Sequence, residues 1–180
     1  MALKVLLTDQ HTPLGSALFK ELEASSLFVV CASGSDALSL NELADLHKPA
    51  VVIDSSALST SFDLKHRAEF GRNLISICAR NESVLVHFSS HKVFGVSQQL
   101  SALSESDEPE PDSIVGVALR EVERIVMEYE RSLIVRLPWV LDDQDGVLDR
   151  LCRTLVYGKE CVVSDIWKGS PVFIEDAVRL

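Results

Sequence analysis

Two serines and a histidine stand where an apolar segment ends, and these residue types could act as a nucleophile and its general base. The apolar run Val84 to Phe88 is followed by Ser89, Ser90 and His91. A serine hydroxyl becomes a nucleophile only when a base lies within hydrogen-bond distance. Because neighbouring residues of a strand point to opposite faces, we expect Ser90 and His91 not to bond to each other. The pair is predicted to be a polar lining residue and a surface histidine.

A turn after the first apolar segment has the position, but not the composition, of a dinucleotide-binding turn. It reads Thr8-Asp9-Gln10-His11-Thr12-Pro13-Leu14-Gly15. Glycines in such a turn let backbone N–H groups approach a pyrophosphate at the start of a helix. Here the turn has only its last glycine, Gly15, and Asp9 adds a negative charge beside the place of the pyrophosphate. This composition predicts weak dinucleotide binding.

Other candidate groups have structural interpretations. His87 lies inside an apolar run and is predicted to be a core histidine with satisfied hydrogen bonds. The four cysteines form no CxxC pair, and each stands in or near an apolar run; they are Cys31, Cys78, Cys152 and Cys161. We therefore predict four reduced, mostly buried thiols and no metal site.

Composition limits the classes of partner. The chain has 180 residues, of which 47% are hydrophobic, and its 27 acidic and 17 basic residues give a net charge of -10. This size and apolar content predict one folded domain. The negative surface argues against binding to nucleic acid or anionic lipid. Because the sequence has no long apolar run and no leader pattern, we expect a cytoplasmic protein without a membrane span.

Secondary-structure elements of two kinds alternate along the chain. The predicted strands are 3–8, 28–32, 50–54, 84–88, 133–140 and 161–164, and the predicted helices are 16–24, 40–47, 63–80, 113–130, 146–157 and 174–180. Short strands that alternate with helices predict an α/β fold with a doubly wound parallel sheet. We expect residues 1–180 to form a single domain, the N-terminal part of a longer protein, because the last helix is only about two turns long. Ligands of such folds bind at the carboxyl ends of the strands.

Seven segments, taken in order, resemble one family over nearly the whole chain. They are 4–8, 14–15, 49–57, 85–95, 104–111, 133–140 and 169–176, read as KVLLT, LG, PAVVIDSSA, LVHFSSHKVFG, SESDEPEP, LIVRLPWV and GSPVFIED. The sequence resembles the dTDP-4-dehydrorhamnose reductase branch of the extended short-chain dehydrogenase/reductase family. That branch also contains the regulatory beta subunit of methionine adenosyltransferase.

The resemblance implies a Rossmann-like NAD(P)-binding fold and assigns roles to individual positions. The cofactor-binding residues that it implies are Thr8, Leu14, Gly15, Ser55, Ser56 and Ser89. Ser90 matches a catalytic hydroxyl, and Trp139 matches a position that faces the sugar nucleotide, although core packing is an equal alternative for this side chain. The family asparagine of the long helix falls near Arg67.

Two sets of family positions have changed. The tyrosine and lysine that move the proton correspond to Val115 and Leu119, which carry no proton or charge. The first two glycines of the cofactor turn correspond to Asp9 and Thr12. The family cofactor is NAD(P), and we expect its binding to be weakened or lost.

Three functions remain open from the sequence. The first is a non-catalytic regulatory domain that binds a nucleotide, a sugar nucleotide, a protein partner or a second copy of itself. The second is an active NAD(P)H-dependent sugar-nucleotide reductase whose acid is Ser90, His91 or a residue beyond Leu180. The third is a subunit analogous to the regulatory subunit of methionine adenosyltransferase, in a stable complex with a catalytic partner.

Overall fold

The computed structural model describes residues 3–25, 28–32, 37–56, 66–95, 103–141, 147–162 and 170–179. The strands are β1 (Lys4–Thr8), β2 (Phe28–Ala32), β3 (Val51–Asp54), β4 (Val84–Ser90), β5 (Ser132–Leu137), β6 (Val140–Leu141) and β7 (Val172–Phe173). The helices are α1 (Pro13–Ala24), α2 (Ala37–His47), α3 (Arg67–Asn81), α4 (Ile114–Val126), α5 (Val147–Val156) and α6 (Ile174–Ala177), and a 3-10 helix covers His91–Phe94.

Five strands form one parallel sheet in the order β2-β1-β3-β4-β5. The predicted doubly wound α/β fold is thus confirmed. Strand order reverses between β1 and β3, because the chain first adds β2 on one side of β1 and then returns to its other side. In open α/β sheets, ligands bind outside the carboxyl ends of the strands at such a reversal.

The sheet is covered on both faces because successive side chains of each strand point in opposite directions. Leu6, Val52 and Leu85 pack with apolar residues of α2, α3 and α4 in one core. On the opposite face, residues such as Leu7 and Ile53 pack against α1 and α6. Two hydrophobic layers of this kind hold the carboxyl edge of the sheet in place from both sides.

Local signals define the beginnings of the helices beside that edge. Thr12 caps α1, where its hydroxyl accepts the Gly15 N–H at 3.0 Å, and Pro13 stands in the first turn. Ser113 caps α4 in the same way through the Gly116 N–H. Both caps satisfy N–H groups that have no partner within the helix.

Some predicted boundaries were wrong. The predicted strand 133–140 is divided into β5 and β6 at Pro138, which has no N–H for a ladder hydrogen bond. Residues 161–162 of the predicted strand 161–164 are not in a strand, and residues 163–164 lie outside the described residues. The short strand β6 pairs in parallel with β7, which lies near the end of the chain.

Two of the cysteine expectations were also wrong. Cys78 lies on α3 and is buried in the hydrophobic core, but Cys152 and Cys161 are exposed. Burial raises the pKa of the Cys78 thiol to about 12, and the nearby Asp54 carboxylate adds to this effect. The exposed cysteines lie in and after α5, and no described residue of α5 belongs to either of the two cores.

Among the described residues, no helix has both the length and the apolar character needed to cross a bilayer.

Candidate functional site

Polar side chains cluster where the strand order reverses. Thr8 ends β1, Asp54 ends β3, and the two residues pair in the parallel register. Ser55 follows Asp54, and its backbone N–H donates to the Thr8 hydroxyl at 3.2 Å. These three residues are almost completely buried. The carboxyl ends of β1 and β3 are therefore connected by hydrogen bonds inside the protein.

Asp54 is the centre of this network. Its Oδ1 atom accepts hydrogen bonds from the Thr8 hydroxyl at 3.0 Å, the Ser56 N–H at 3.0 Å and the Ser56 hydroxyl at 2.6 Å. The Ser55 hydroxyl donates to the Thr8 carbonyl. The hydroxyls of Thr8, Ser55 and Ser56, which we predicted to contact a cofactor, all have protein partners here.

His87 completes the network from β4. Its Nδ1 atom lies 2.8 Å from Asp54 Oδ2, and both side chains are buried. Burial favours the neutral form of Asp54, but the hydrogen bond and charge of His87, together with the Ser56 donors, outweigh it and hold the pKa of Asp54 below its usual value. The prediction of a satisfied core histidine is correct for one ring nitrogen only, because the buried Nε2 has no hydrogen-bond partner among the described residues.

A small cavity adjoins this pair. Its volume is about 10 Å³, and it is lined by Asp54, Ser56, Arg67, Phe70, His87, Leu119 and Val122. Arg67 is 5% exposed; burial lowers the pKa of its guanidinium, and the Asp54 charge opposes that change. The position matched to the family asparagine thus carries a buried positive charge beside a buried negative one.

Asp54 gives the first testable prediction. Because its folded-state pKa is lowered, its contribution to stability is present above the unfolded-state pKa of about 3.9 and is lost as the pH falls through the folded-state pKa. Urea unfolding between about pH 5 and pH 2 is expected to show a steeper loss of stability in the wild type than in Asp54→Asn. At neutral pH the variant is expected to be about 1.5–3 kcal/mol less stable, since it loses charge-assisted hydrogen bonds. Parallel pH profiles would contradict this assignment.

At the start of α1, the turn has one backbone position, at Asp9, in a conformation that favours glycine. Asp9 adopts a φ of 52°, in the left-handed region that aspartate tolerates better than most residues. The Thr12 hydroxyl donates to the Asp9 carbonyl at 3.1 Å and accepts the Gly15 N–H. Pro13 has no N–H. The α1 N-terminus therefore uses one of its anion-binding donors internally and lacks another.

Ser89 and Ser90 end β4, and their environments differ. Both are buried, and Ser89 Oγ has no hydrogen-bond partner among the described residues. Ser90 Oγ lies 3.4 Å from His91 Nδ1 and 3.4 Å from the backbone nitrogen of Lys92. Our expectation that Ser90 and His91 form no hydrogen bond with each other was wrong, because His91 begins a 3-10 helix and does not continue the strand. The hydrogen bond is a long one, and His91 is exposed, as predicted.

On α4, the positions matched to the family tyrosine and lysine pack against apolar side chains of the 3-10 helix. Leu119 is 1% exposed and packs with the buried Val93 of the 3-10 helix. Val115 and Phe94 are partly buried and pack against the cluster that Val93 and Leu119 form. Close approach of α4 to the 3-10 helix requires Gly116, since a Cβ there would lie 2.2 Å from the Lys92 carbonyl oxygen.

The other predicted site residues lie around this edge. Leu14 and Gly15 are buried in the first turn of α1. Trp139 is half-buried between β5 and β6, and its carbonyl accepts the Val172 N–H at 2.9 Å. Asp54 was not among the predicted site residues, although an acid that ends an apolar strand, with a histidine in the next strand, is a signal of a buried polar pair.

The parallel sheet, with helices on both faces and a helix N-terminus at the first turn, defines a doubly wound, Rossmann-like α/β domain. The family model described as the RmlD substrate binding domain matches residues 3–180. The chain therefore belongs to that family, and its resemblance to dTDP-4-dehydrorhamnose reductases is confirmed.

Solved structures show the same fold. A dTDP-4-dehydrorhamnose reductase from Clostridium acetobutylicum is 22% identical with a TM-score of 0.83, over 98% of this chain and 68% of that one. The Bacillus anthracis enzyme in complex with NADP is 22% identical with a TM-score of 0.85, over 99% of this chain and 69% of that one. WbmG from Bordetella bronchiseptica, in complex with NAD and UDP, is 17% identical with a TM-score of 0.85, over 99% of this chain and 67% of that one. No protein of curated function matches the sequence.

Proposed function

We propose that this chain is a degenerate member of its reductase family, a regulatory domain that binds a nucleotide-type ligand or a protein partner without catalysing hydride transfer. The observation that carries the proposal is the apolar packing of Val115 and Leu119 against Val93. In the family these two positions supply the proton and the charge that assists its transfer. General acid–base catalysis contributes about 10²–10⁴-fold to a reaction, and neither side chain here can provide it.

The cofactor turn supports the same conclusion. A pyrophosphate at the start of α1 needs free N–H donors, but the Gly15 N–H is bonded to Thr12 and Pro13 has none. The carboxylate of Asp9 stands in the same turn. Like charges about 4 Å apart repel by about 1 kcal/mol in water and about 4 kcal/mol near a protein surface. Because about 1.4 kcal/mol is a tenfold change in affinity, the residues of this turn fit NAD(P) poorly.

The place of the candidate site at the carboxyl edge of the sheet supports a nucleotide as the ligand. The relatives' crystal structures contain NADP in one enzyme and NAD with UDP in another. In this chain, Thr8, Gly15 and Ser55 lie at the reversal of strand order, where such folds bind ligands. Trp139 is half-buried and offers an aromatic surface for a sugar nucleotide. Where no nucleotide binds, the same edge is proposed to serve a protein partner, which includes a second copy of the chain.

An active reductase with a different acid is the alternative. The close approach of Ser90 Oγ to the exposed His91 favours it, because a histidine can supply a proton. This alternative requires the reduced cofactor to bind, whereas the regulatory proposal does not.

The decisive experiment measures NADPH oxidation by the purified chain with a dTDP-4-dehydro-6-deoxy sugar. We expect no turnover above that of Ser90→Ala, since the proton relay is absent. Turnover that Ser90→Ala or His91→Ala abolishes would overturn the proposal and support the alternative.

Thermal shift separates the possible ligands. A ligand at 100 times its dissociation constant adds about 2.7 kcal/mol of stability. We expect a sugar nucleotide to raise the melting temperature more than NADH or NADPH does. A shift with a coenzyme alone would contradict the expectation for the turn. Without any shift, size-exclusion chromatography and pull-down would show whether a partner protein takes the place of the nucleotide.

A further inference from the structure

We propose that the cavity beside His87 is a binding site for one ordered water molecule, held by the imidazole Nε2 atom and by polar groups of Asp54, Ser56 and Arg67. The inference is independent of whether the domain catalyses a reaction. It rests on a ring nitrogen that has no hydrogen-bond partner within the described part of the chain, on the size of the cavity and on its lining.

The first observation is the state of the imidazole. His87 Nδ1 bonds to Asp54, which fixes the ring on β4, while Nε2 is buried and has no hydrogen-bond partner among the described residues. Buried polar atoms in proteins are almost always satisfied by the protein or by water, since an unsatisfied one loses its hydration without compensation. The ring lines the cavity, so this is the place from which a partner can reach it.

The second observation is the size of the cavity. Its volume is about 10 Å³, and a cavity of about 10–15 Å³ holds one water molecule. A sugar, a nicotinamide ring or a phosphate is several times larger. Of the polar molecules available to the protein, water fits this space.

The third observation is the lining. A buried water needs two to four polar partners. The lining contains four residues with polar side chains, which come from β3, β4, α3 and the segment after β3: His87, Asp54, Ser56 and Arg67. Phe70, Leu119 and Val122 complete the lining. The water would extend the Thr8–Asp54–His87 network by one member.

A crystal structure of the full chain at a resolution that shows ordered water tests the proposal directly. We expect density for one water molecule within hydrogen-bond distance of His87 Nε2. A dry cavity, or an Nε2 atom bonded to a protein group, would overturn it.

Stability measurements supply a second test. Val122→Ile adds a methylene at the cavity wall; if it displaces a water that satisfies His87, the melting temperature should fall by about 2–4 °C or more. In a His87→Phe background the Nε2 atom that the water satisfies is gone, and the same substitution should then lower the melting temperature by less. An equal effect of Val122→Ile in both backgrounds would contradict the proposal. If His87→Phe does not fold, the crystallographic test decides alone.

Discussion

Gly15→Ala is expected to destabilise the domain by about 3 kcal/mol or more and to distort the turn before α1. A Cβ at this position would lie 2.1 Å from the Asp9 carbonyl oxygen and 3.0 Å from the Gln10 Cα atom. Both obstacles belong to the backbone, so no side-chain rotation relieves them. The strain falls on the hydrogen bonds from Thr12 to Asp9 and from Gly15 to Thr12, which hold the turn together.

Gly71→Ala is the matched control for this experiment. It lies inside α3, where an added Cβ would meet Val122 at 3.4 Å and Ile125 at 3.7 Å, both of them side-chain contacts. Alanine is favoured over glycine in a helix by about 1 kcal/mol, so we expect this variant to be nearly as stable as the wild type or more stable. Urea unfolding of the two variants measures the difference. Equal stability of Gly15→Ala and Gly71→Ala would contradict the close approach at the turn.

Arg136→Met is expected to cost about 3–5 kcal/mol of unfolding free energy. Arg136 on β5 makes a bidentate pair with Glu123 on α4, with Nε 3.1 Å from Oε1 and 3.2 Å from Oε2, and a terminal nitrogen 2.8 Å from Oε2. Glu123 is 1% exposed. Removal of the guanidinium would leave a carboxylate buried without a counter-charge. The side chain also lies 5.0 Å above the Phe94 ring, a contact that methionine keeps only in part.

Double substitution separates the loss of the pair from the burial of an unpaired charge. Arg136→Met with Glu123→Met removes both charges, and we expect it to recover most of the stability, since apolar replacements of a buried pair are often neutral. As a surface control, Arg124→Met removes an exposed guanidinium that contacts Glu121 on α4 and Glu128 just after it, and we expect little change in stability. If the double variant is no more stable than Arg136→Met, the buried-charge explanation is wrong.

Gly15→Ala and Arg136→Met change residues that hold the candidate site in position, so we expect them to affect ligand binding as well as stability. Gly15 keeps the turn at the start of α1, and Arg136 pairs in register with Ser89 at the end of β4. Each joins an element of the carboxyl edge to its neighbour. A ligand that binds at this edge should therefore lose affinity in these variants even where the protein still folds.

Much of the fold could be predicted from local patterns. Phe70, Leu74 and Ile77 recur at helical spacing, and all three are buried on one face of α3. Apolar runs with short connections predicted the five strands of the parallel sheet, because strands buried on both faces leave a nearly continuous apolar signal. The two-residue strands β6 and β7 are too short to leave such a signal, and their pairing joins distant segments.

At the candidate site, the printed residues already show that Asp9 and Thr12 have side chains in the first turn and that Val115 and Leu119 cannot transfer a proton. Residue identity alone fixes these chemical limits. The Asp54–His87 pair could not be predicted in the same way, because its members are 33 positions apart and meet through the register of two parallel strands. A hydrogen bond depends on distance and direction, and both arise when the sheet assembles and excludes water from the pair.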